Sequence, residues 1–391
     1  MSIFAAVMTG QGTGAISTIQ LFGDKAEAIL KKIFKPVSIK PATFGLGQIL
    51  LGTIHDGNRT IDQVTIGCEG ENNLTINCHG NPLIVEMIMK LLQKQNVKPI
   101  TAQQLIVKIL SSDKSLNTIA IEAALAQAEA KTLEGTKIIA NQVDAGLAEK
   151  TAQWLGNING IPLKQIAADA EKILKTSQTV KLIIEGLTAV ITGPPNTGKS
   201  TLLNYLAGKP KAIVTDIKGT TRDYVTAQCL LPPLCIEFID TAGLDDELAA
   251  NKIEKAAQKK SFSILEKANL VLVVLDNSQT KNALGKKLLK KIADKKIITI
   301  LNKCDLPAKF DPAELPEALA DTIKISAKAG TGIENLLKKI RQLSDAADFD
   351  LQSPVCFTDR QKNLLQKLTF AKTKKLARQI ISGLLNGRLC V

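Results

Sequence analysis

The chain is poor in aromatic residues, in histidine and in paired cysteine, and each shortage narrows its chemistry. Aromatic side chains make up 3% of the 391 residues, so a surface that grips single-stranded bases by stacking would have few rings to use. The two histidines, His55 and His79, each lie beside a turn without a second ligand at metal spacing; a structural or incidental role is expected of them ahead of catalysis. The seven cysteines stand at 68, 78, 229, 235, 304, 356 and 390, odd in number and with no Cys-x-x-Cys pair, which argues against a disulfide framework or a zinc site. No apolar run approaches the ~20 residues of a membrane span. The N-terminus lacks the basic-then-apolar order of a signal peptide. A reduced cytoplasm, with no membrane partner, is the expected location.

What is present is a globular composition, 45% hydrophobic, with 50 Lys+Arg against 37 Asp+Glu for a net charge of +13. Two readings of that charge stay open: a nucleic-acid partner, or a solvated basic surface. The length suits two or three domains. Residues 1–97 mix short apolar runs (Ile3 to Val7, Gly14 to Leu21, Gln48 to Ile54, Leu74 to Gly80) with helical stretches at Asp24 to Phe34 and Pro82 to Gln95, an α/β pattern. Residues 98–179 turn helical, over Ala102–Ser111, Asn117–Leu133, Thr136–Leu155 and Leu163–Thr176, and 344–391 return to that character. Residues 180–343 alternate strand and helix, which predicts a doubly wound sheet with helices on both faces. One helical domain carrying an inserted α/β domain accounts for this order.

The inserted stretch carries the chemistry. Gly193-Pro-Pro-Asn-Thr-Gly-Lys-Ser200 follows an apolar run and opens a helix, the context a phosphate-binding loop requires. Its backbone N–H groups and the positive helix end form a cradle for anionic oxygens, lined by Asn196, Thr197, Gly198, Lys199, Ser200 and Thr201. Lys199 adds a point charge for the β- and γ-phosphates and Ser200 a hydroxyl for Mg²⁺. Asp216-Ile-Lys-Gly-Thr-Thr-Arg-Asp223 suits a switch loop, with Thr221 as the second hydroxyl ligand of Mg²⁺. Asp240-Thr-Ala-Gly243 closes a strand, so Asp240 can hold Mg²⁺ through water and Gly243 can present an N–H to the γ-phosphate. Asn302-Lys303-Cys-Asp305 follows another strand. Asp305 can accept from N1–H and the exocyclic amine of guanine, a pair adenine lacks, so an ATP complex would leave the carboxylate unmatched. Ser326-Ala327-Lys328 would back the base with a main-chain N–H. Single boxes of this kind occur by chance. Five in order, each after the right element, predict a P-loop GTPase of Ras-like doubly wound fold binding GTP and GDP.

These boxes resemble the translation-factor-like GTPases, and Gly219-Thr-Thr-Arg-Asp223 narrows the likeness to the branch holding MnmE (TrmE), Era and Der. The whole chain resembles the MnmE family of tRNA-modifying GTPases, through Gly14-Ala-Ile-Ser-Thr-Ile-Gln-Leu-Phe-Gly23, Gly52-Thr-Ile-His-Asp-Gly57, Asn77-Cys-His-Gly80 and Leu125-Ala-Gln-Ala-Glu-Ala130. The resemblance implies an N-terminal folate-binding-like and dimerising α/β domain over 1–97. It implies a helical domain over 98–179 and 344–391, with the GTPase domain at 180–343 inserted in it. It implies Mg²⁺-dependent GTP hydrolysis in wobble-uridine (5-carboxymethylaminomethyl-type) modification, with a homodimer, tRNA and an MnmG-like flavoprotein as partners. Asn196, with Thr215, Ile217 and Thr220, is implied to coordinate K⁺, standing where other GTPases place an arginine finger. Glu254 matches the family's water-orienting residue, with Glu247 as the alternative; Lys199 and Thr221 complete the implied catalytic set.

Departures from the pattern lie outside the GTPase boxes. Gln20 stands where the family has an Arg of its folate site, Thr75 where it has a Glu, and Glu122 nearest to its helical-domain Lys. The C-terminal Cys-x-Gly-Lys is met by Arg388-Leu-Cys-Val391, and the chain is shorter than the family by roughly a helix pair. Weak or absent binding of 5-formyltetrahydrofolate is therefore expected. Two alternatives to tRNA modification stay open: a diverged paralogue keeping only GTP hydrolysis, and a GTP-dependent module for RNA or ribosome assembly.

Overall fold

Period-two alternation of apolar residues builds one sheet near the N-terminus, and nearly continuous apolar runs such as Leu270–Asp276 build a second in the middle of the chain. The computed structural model describes residues 2–10, 12–37, 44–208, 225–240, 262–282, 284–346, 349–387 and 389. It divides into two units, Met1–Ile121 with Asn386–Val391, and Glu122–Leu385.

The first unit runs β1 (Ile3–Val7), β2 (Ile16–Phe22), α1 (Ala26–Ile33), β3 (Phe34–Pro36), β4 (Ile49–Asp56), β5 (Arg59–Gly70), β6 (Asn73–His79), α2 (Pro82–Lys94), β7 (Val97–Pro99) and α3 (Ala102–Ser112). The sheet order is β3-β4-β5-β6-β2-β1-β7, antiparallel except for β1 with β7. Ile19, Leu21, Ile54, Ile66 and Ile76 share a core with Leu30 of α1 and Ile88 and Leu92 of α2. Phe34, read from the sequence as the end of a helix, instead opens β3 opposite Ile54. The twelve-residue β5 escaped the sequence reading because Thr60, Asp62, Gln63 and Thr65 dilute its apolar positions, although Val64, Ile66 and Cys68 are buried at alternate places.

In the second unit α4 (Thr118–Glu129), within which the division falls, precedes α5 (Leu133–Asp144), α6 (Gly146–Gly156) and α7 (Leu163–Glu185). The single helix expected over Thr136–Leu155 is two, because Gly146 takes φ 48° and turns the chain. The helix expected to stop at Thr176 continues to Glu185, since its buried stripe Ile166, Ala170, Ile173, Ser177, Val180, Ile183 stays in phase. Gly186, at φ 87°, ends it.

From there the chain forms β8 (Leu187–Thr192), α8 (Lys199–Ala207), β9 (Val225–Leu231), β10 (Leu234–Asp240), β11 (Leu270–Asp276), α9 (Lys286–Ile292), β12 (Lys296–Asn302), β13 (Thr322–Lys324) and α10 (Ile333–Leu343). After them come α11 (Asp359–Thr369) and α12 (Lys374–Asn386). The sheet order is β13-β12-β11-β8-β10-β9, parallel except for β9 against β10. Leu270, Leu272 and Val274 of β11 face a core shared with Ile138 of α5, Val180 and Ile183 of α7 and Leu336 of α10. Val271, Val273 and Leu275 face the other core with Leu288 and Ile292 of α9. Covering both faces explains why β11 reads as an unbroken apolar run.

A polar cluster in this unit forms around the buried Glu122. Glu122 of α4 accepts from Thr358 Oγ1 at 2.8 Å, Arg360 Nε at 2.8 Å and Nη2 at 2.6 Å, and Gln361 Nε2 at 2.7 Å. Arg360 also donates to the carbonyls of Gly383 and Leu384 in α12. No helix among the described residues is long and apolar enough to cross a membrane.

Candidate nucleotide site

In a parallel sheet the loops leaving the carboxyl ends of the strands converge on one edge, where ligands bind. Here β8 delivers the loop 193–198, β10 ends on Asp240, β11 on Asp276 and β12 on Asn302. Two glycines let the first loop pass. Gly193 has φ 139°, and a Cβ there would lie 2.1 Å from the Val274 carbonyl oxygen. Gly198 has φ 92°, and a Cβ would meet Asn302 Nδ2 at 2.3 Å. Any other residue at either place would force the loop away from its neighbours.

Pro194 and Pro195 lack N–H groups, so the anion cradle falls to the amides from Asn196 onward and to the start of α8, which Gly198 precedes in left-handed conformation. Asn196 is exposed and holds φ 61°, in the region Asn tolerates better than other side chains. Thr197 is buried, its hydroxyl donating to the Pro194 carbonyl at 3.0 Å. Lys199 Nζ donates to the carbonyls of Gly193 and Pro194, both at 2.7 Å. Its ammonium thus lies over the loop, held by the carbonyl oxygens that phosphate oxygens would replace. Thr201 is exposed on α8.

The residues for a divalent cation come together across the edge. Ser200 Oγ donates to Asp240 Oδ2 at 2.7 Å. Asp240 is 6% exposed, and its other oxygen, Oδ1, has no hydrogen-bond partner among the described residues. A buried carboxylate oxygen left unmatched is costly. A cation-bound water beside the Ser200 hydroxyl would satisfy it, so this donor set of hard oxygens fits Mg²⁺.

The base-reading loops are clipped to the phosphate loop by one amide. Asn302 is 2% exposed. Its Nδ2 donates to the Thr197 carbonyl at 2.8 Å, and its Oδ1 accepts the Ala327 N–H at 2.9 Å. The sequence suggested a main-chain donor from Ser326-Ala327-Lys328 for the base; within that triplet the Ala327 N–H meets Asn302, and Ser326 N–H donates to the Thr331 carbonyl at 3.0 Å. Lys328 is exposed. Lys303 adopts φ 65° and turns its ammonium to Asp276. Asp305 is exposed, and a hydrogen bond from Ser326, then its own backbone and the charges of Lys328 and Lys303, hold its carboxyl below the ordinary 3.8. It stays ionised at neutral pH, as an acceptor for two N–H groups must. Gly243, Glu247, Glu254, Thr215, Ile217, Thr220 and Thr221 lie outside the described residues.

Asp276 was not among the residues picked from the sequence. The signal was a carboxylate ending the otherwise apolar run Leu270-Val-Leu-Val-Val-Leu275, which calls for a partner at that edge.

Residues 188–303 match the family described as 50S ribosome-binding GTPase, and residues 3–104 match the GTP-binding protein TrmE N-terminus. Among curated relatives, the tRNA modification GTPase MnmE of Clostridioides difficile (strain 630) is 29% identical over 408 residues, spanning 95% of this chain and 88% of that protein. The protein of the same name from Lactiplantibacillus plantarum (strain ATCC BAA-793 / NCIMB 8826 / WCFS1) is 29% identical over 374 residues, with 87% and 80% covered. That of Thermotoga maritima is 28% identical over 403 residues, with 94% and 88% covered.

Proposed function

Because the chain belongs to the MnmE family and is a GTP-hydrolysing enzyme, we propose that it hydrolyses GTP in the service of tRNA wobble-uridine modification. In this reading residues 1–97 form the N-terminal domain, 98–179 and 344–391 the helical domain, and 180–343 the GTPase domain. The protein works in the cytoplasm as a homodimer with an MnmG-like flavoprotein.

One observation carries the hydrolytic half: the Asp240 Oδ1, unmatched among the described residues, beside Ser200 at the carboxyl edge of the sheet. Ser200, Thr221 and Asp240 would hold Mg²⁺, which when bound supplies positive charge to the phosphate oxygens. The chain's own residues do the rest. The amides from Asn196 to Thr201 hold the phosphates, and Lys199 exchanges two carbonyl oxygens for phosphate oxygens. Gly243 N–H meets the γ-phosphate, and Glu254, with Glu247 as the alternative, orients the attacking water. Asn196 with Thr215, Ile217 and Thr220 would hold K⁺ against the charge that develops on transfer. The tRNA half rests on the names of the relatives and on their match through both the N-terminal and GTPase regions.

A paired experiment tests both halves. GTP hydrolysis by the purified protein with Mg²⁺ should rise about tenfold or more when K⁺ replaces Na⁺, and Asn196→Ala should abolish the difference. That rise stays under the roughly 10³–10⁵ of an arginine finger. Expression in a strain lacking the family enzyme should restore the modified uridine, measured in hydrolysed tRNA. A rate indifferent to the ion removes the potassium assignment. Stimulated hydrolysis without restored uridine leaves a GTPase that no longer modifies tRNA.

The N-terminal unit gives that second reading some support. Gln20 is 7% exposed, and its amide donates to Glu69 Oε2 at 3.0 Å and Asn73 Oδ1 at 2.8 Å. Thr75, directly opposite it across β2 and β6, is 5% exposed. Neither position offers a charge to an anionic pteridine-glutamate ligand. Calorimetry with 5-formyltetrahydrofolate is expected to show no saturable heat at micromolar protein; tight binding would restore folate as a resident cofactor.

A further inference from the structure

Guanine selection, as read above, depends on where Asp305 stands, and Asp305 lies on a loop whose own footing is visible. The loop leaves β12 at Asn302, and its next residue, Lys303, takes the left-handed conformation at φ 65°. That backbone is unfavourable for a lysine unless its surroundings hold it. Its ammonium donates to Asp276 Oδ2 at 2.6 Å. The carboxylate is 6% exposed at its side chain, against 32% for the lysine, so the ion pair sits largely out of water.

Asp276 is itself fixed from three sides. Its Oδ1 accepts from Ser278 N–H at 2.9 Å and Ser278 Oγ at 2.7 Å. Its backbone N–H donates to Asn282 Oδ1 at 2.9 Å, and its carbonyl accepts from Asn282 Nδ2 at 3.1 Å. The next residue continues the grip: Asn277 N–H donates to the Asn302 carbonyl at 2.9 Å, and its own carbonyl accepts from Lys309 N–H at 2.9 Å. The end of β11 therefore holds the base-reading loop at Asn302, at Lys303 and at Lys309, on both sides of Asp305. Burial pushes the Asp276 carboxyl up, but the hydrogen bonds from Lys303 and Ser278 outweigh it and leave it below the ordinary value.

We infer that Asp276 is a positioning residue for guanine selectivity, acting through its ion pair with Lys303 to hold Asp305 at the base edge. The inference rests on the reading of Asp305 as the guanine acceptor. Asp276 touches no nucleotide atom in this account. Losing its charge frees Lys303 to leave its strained backbone, and Asp305 then spends less of its time in register with N1–H and the amine.

The test compares GDP, IDP and ADP on the full chain, by displacement of a fluorescent guanine nucleotide. IDP lacks the exocyclic amine, so the GDP-to-IDP affinity ratio reports the second hydrogen bond to Asp305. Asp276→Asn keeps the shape and removes the charge. It should weaken GDP about tenfold and lower the GDP-to-IDP ratio several-fold, measured at a temperature where circular dichroism shows the variant fully folded. The conservative Asp276→Glu should recover part of the ratio. A purely structural role would weaken GDP and IDP together and leave the ratio unmoved. If Asp276→Asn does not fold, Ser278→Ala keeps the carboxylate, removes one hydrogen bond that orients it, and should lower the ratio to a smaller degree. A guanine-selective parent whose variants keep the parent ratio overturns the inference alone. A parent that binds ADP as tightly as GDP overturns the reading of Asp305, and this inference with it.

Discussion

Asp305→Asn is expected to lose GTP affinity by a factor on the order of 10²–10⁴ and to gain xanthosine triphosphate by a comparable factor, because sites built to hydrogen-bond a polar group reject the mismatched one strongly. The carboxylate accepts two N–H groups; the amide that replaces it keeps one acceptor and presents a donor. Guanine then faces that donor with its own amine. Xanthine, with a carbonyl in that position, accepts from the new amide and still gives its N1–H to the remaining oxygen. Asp305 is exposed, so the exchange should leave thermal stability close to the parent's, and the measurement is the ratio of nucleotide affinities. The pH dependence has a definite sign. The folded carboxyl is held below 3.8, so guanine recognition is at its full value above the ordinary carboxylate range and declines only as acid protonates the group. A parent whose GTP affinity rose on acidification, or a variant without xanthine preference, would remove Asp305 from the base site.

How much of this arrangement could be read from the chain follows from the distance over which each feature is encoded. The phosphate loop is local: its glycines, Lys199 and Ser200 lie within eight residues, and strand, loop and helix follow directly from the pattern around them. Asp240 and Asn302 were legible as the ends of apolar runs, since a doubly wound sheet sends such ends to one edge. The clip that Asn302 makes between Thr197 and Ala327 was not, because it joins residues 105 and 25 positions apart. Asp276 was passed over for a similar reason: its meaning lies in Lys303, 27 residues on. β5 was hidden by polar residues on both faces, Gln63 and Thr65 on one and the buried Asp62 in phase with Val64 on the other. The length of α7 was underread, because its buried stripe runs on past Thr176 through Ser177, Val180, Ile183 and Ile184 to within two residues of Gly186.

Glu122 was read only as a departure from a family lysine, and its surroundings turn that departure into the second large prediction. The carboxylate is 4% exposed and takes four hydrogen bonds, two of them from one guanidinium. A lysine at this place would set a second cation against Arg360. Removing one partner of a buried ion pair costs about 3–5 kcal/mol, because the other charge stays buried without its match. Glu122→Ala should therefore lower the thermal midpoint by roughly 6–20 °C, at about 2–4 °C per kcal/mol for a unit of this size. Differential scanning calorimetry of the intact protein measures it. Arg360 would keep its two carbonyl acceptors in α12, but Thr358 and Gln361 would lose theirs. The double variant Glu122→Leu with Arg360→Met removes both charges and fills the space with apolar atoms. It should recover most of the loss, as apolar replacements of buried pairs commonly do. A single variant within about 1 kcal/mol of the parent, or a double variant worse than the single, would show that the pair does not brace the helices. The pair joins α4, ahead of the GTPase sheet in sequence, to α11, which follows it. GTP hydrolysis measured well below the lowered midpoint should be unchanged, since Glu122 contributes nothing to the nucleotide edge.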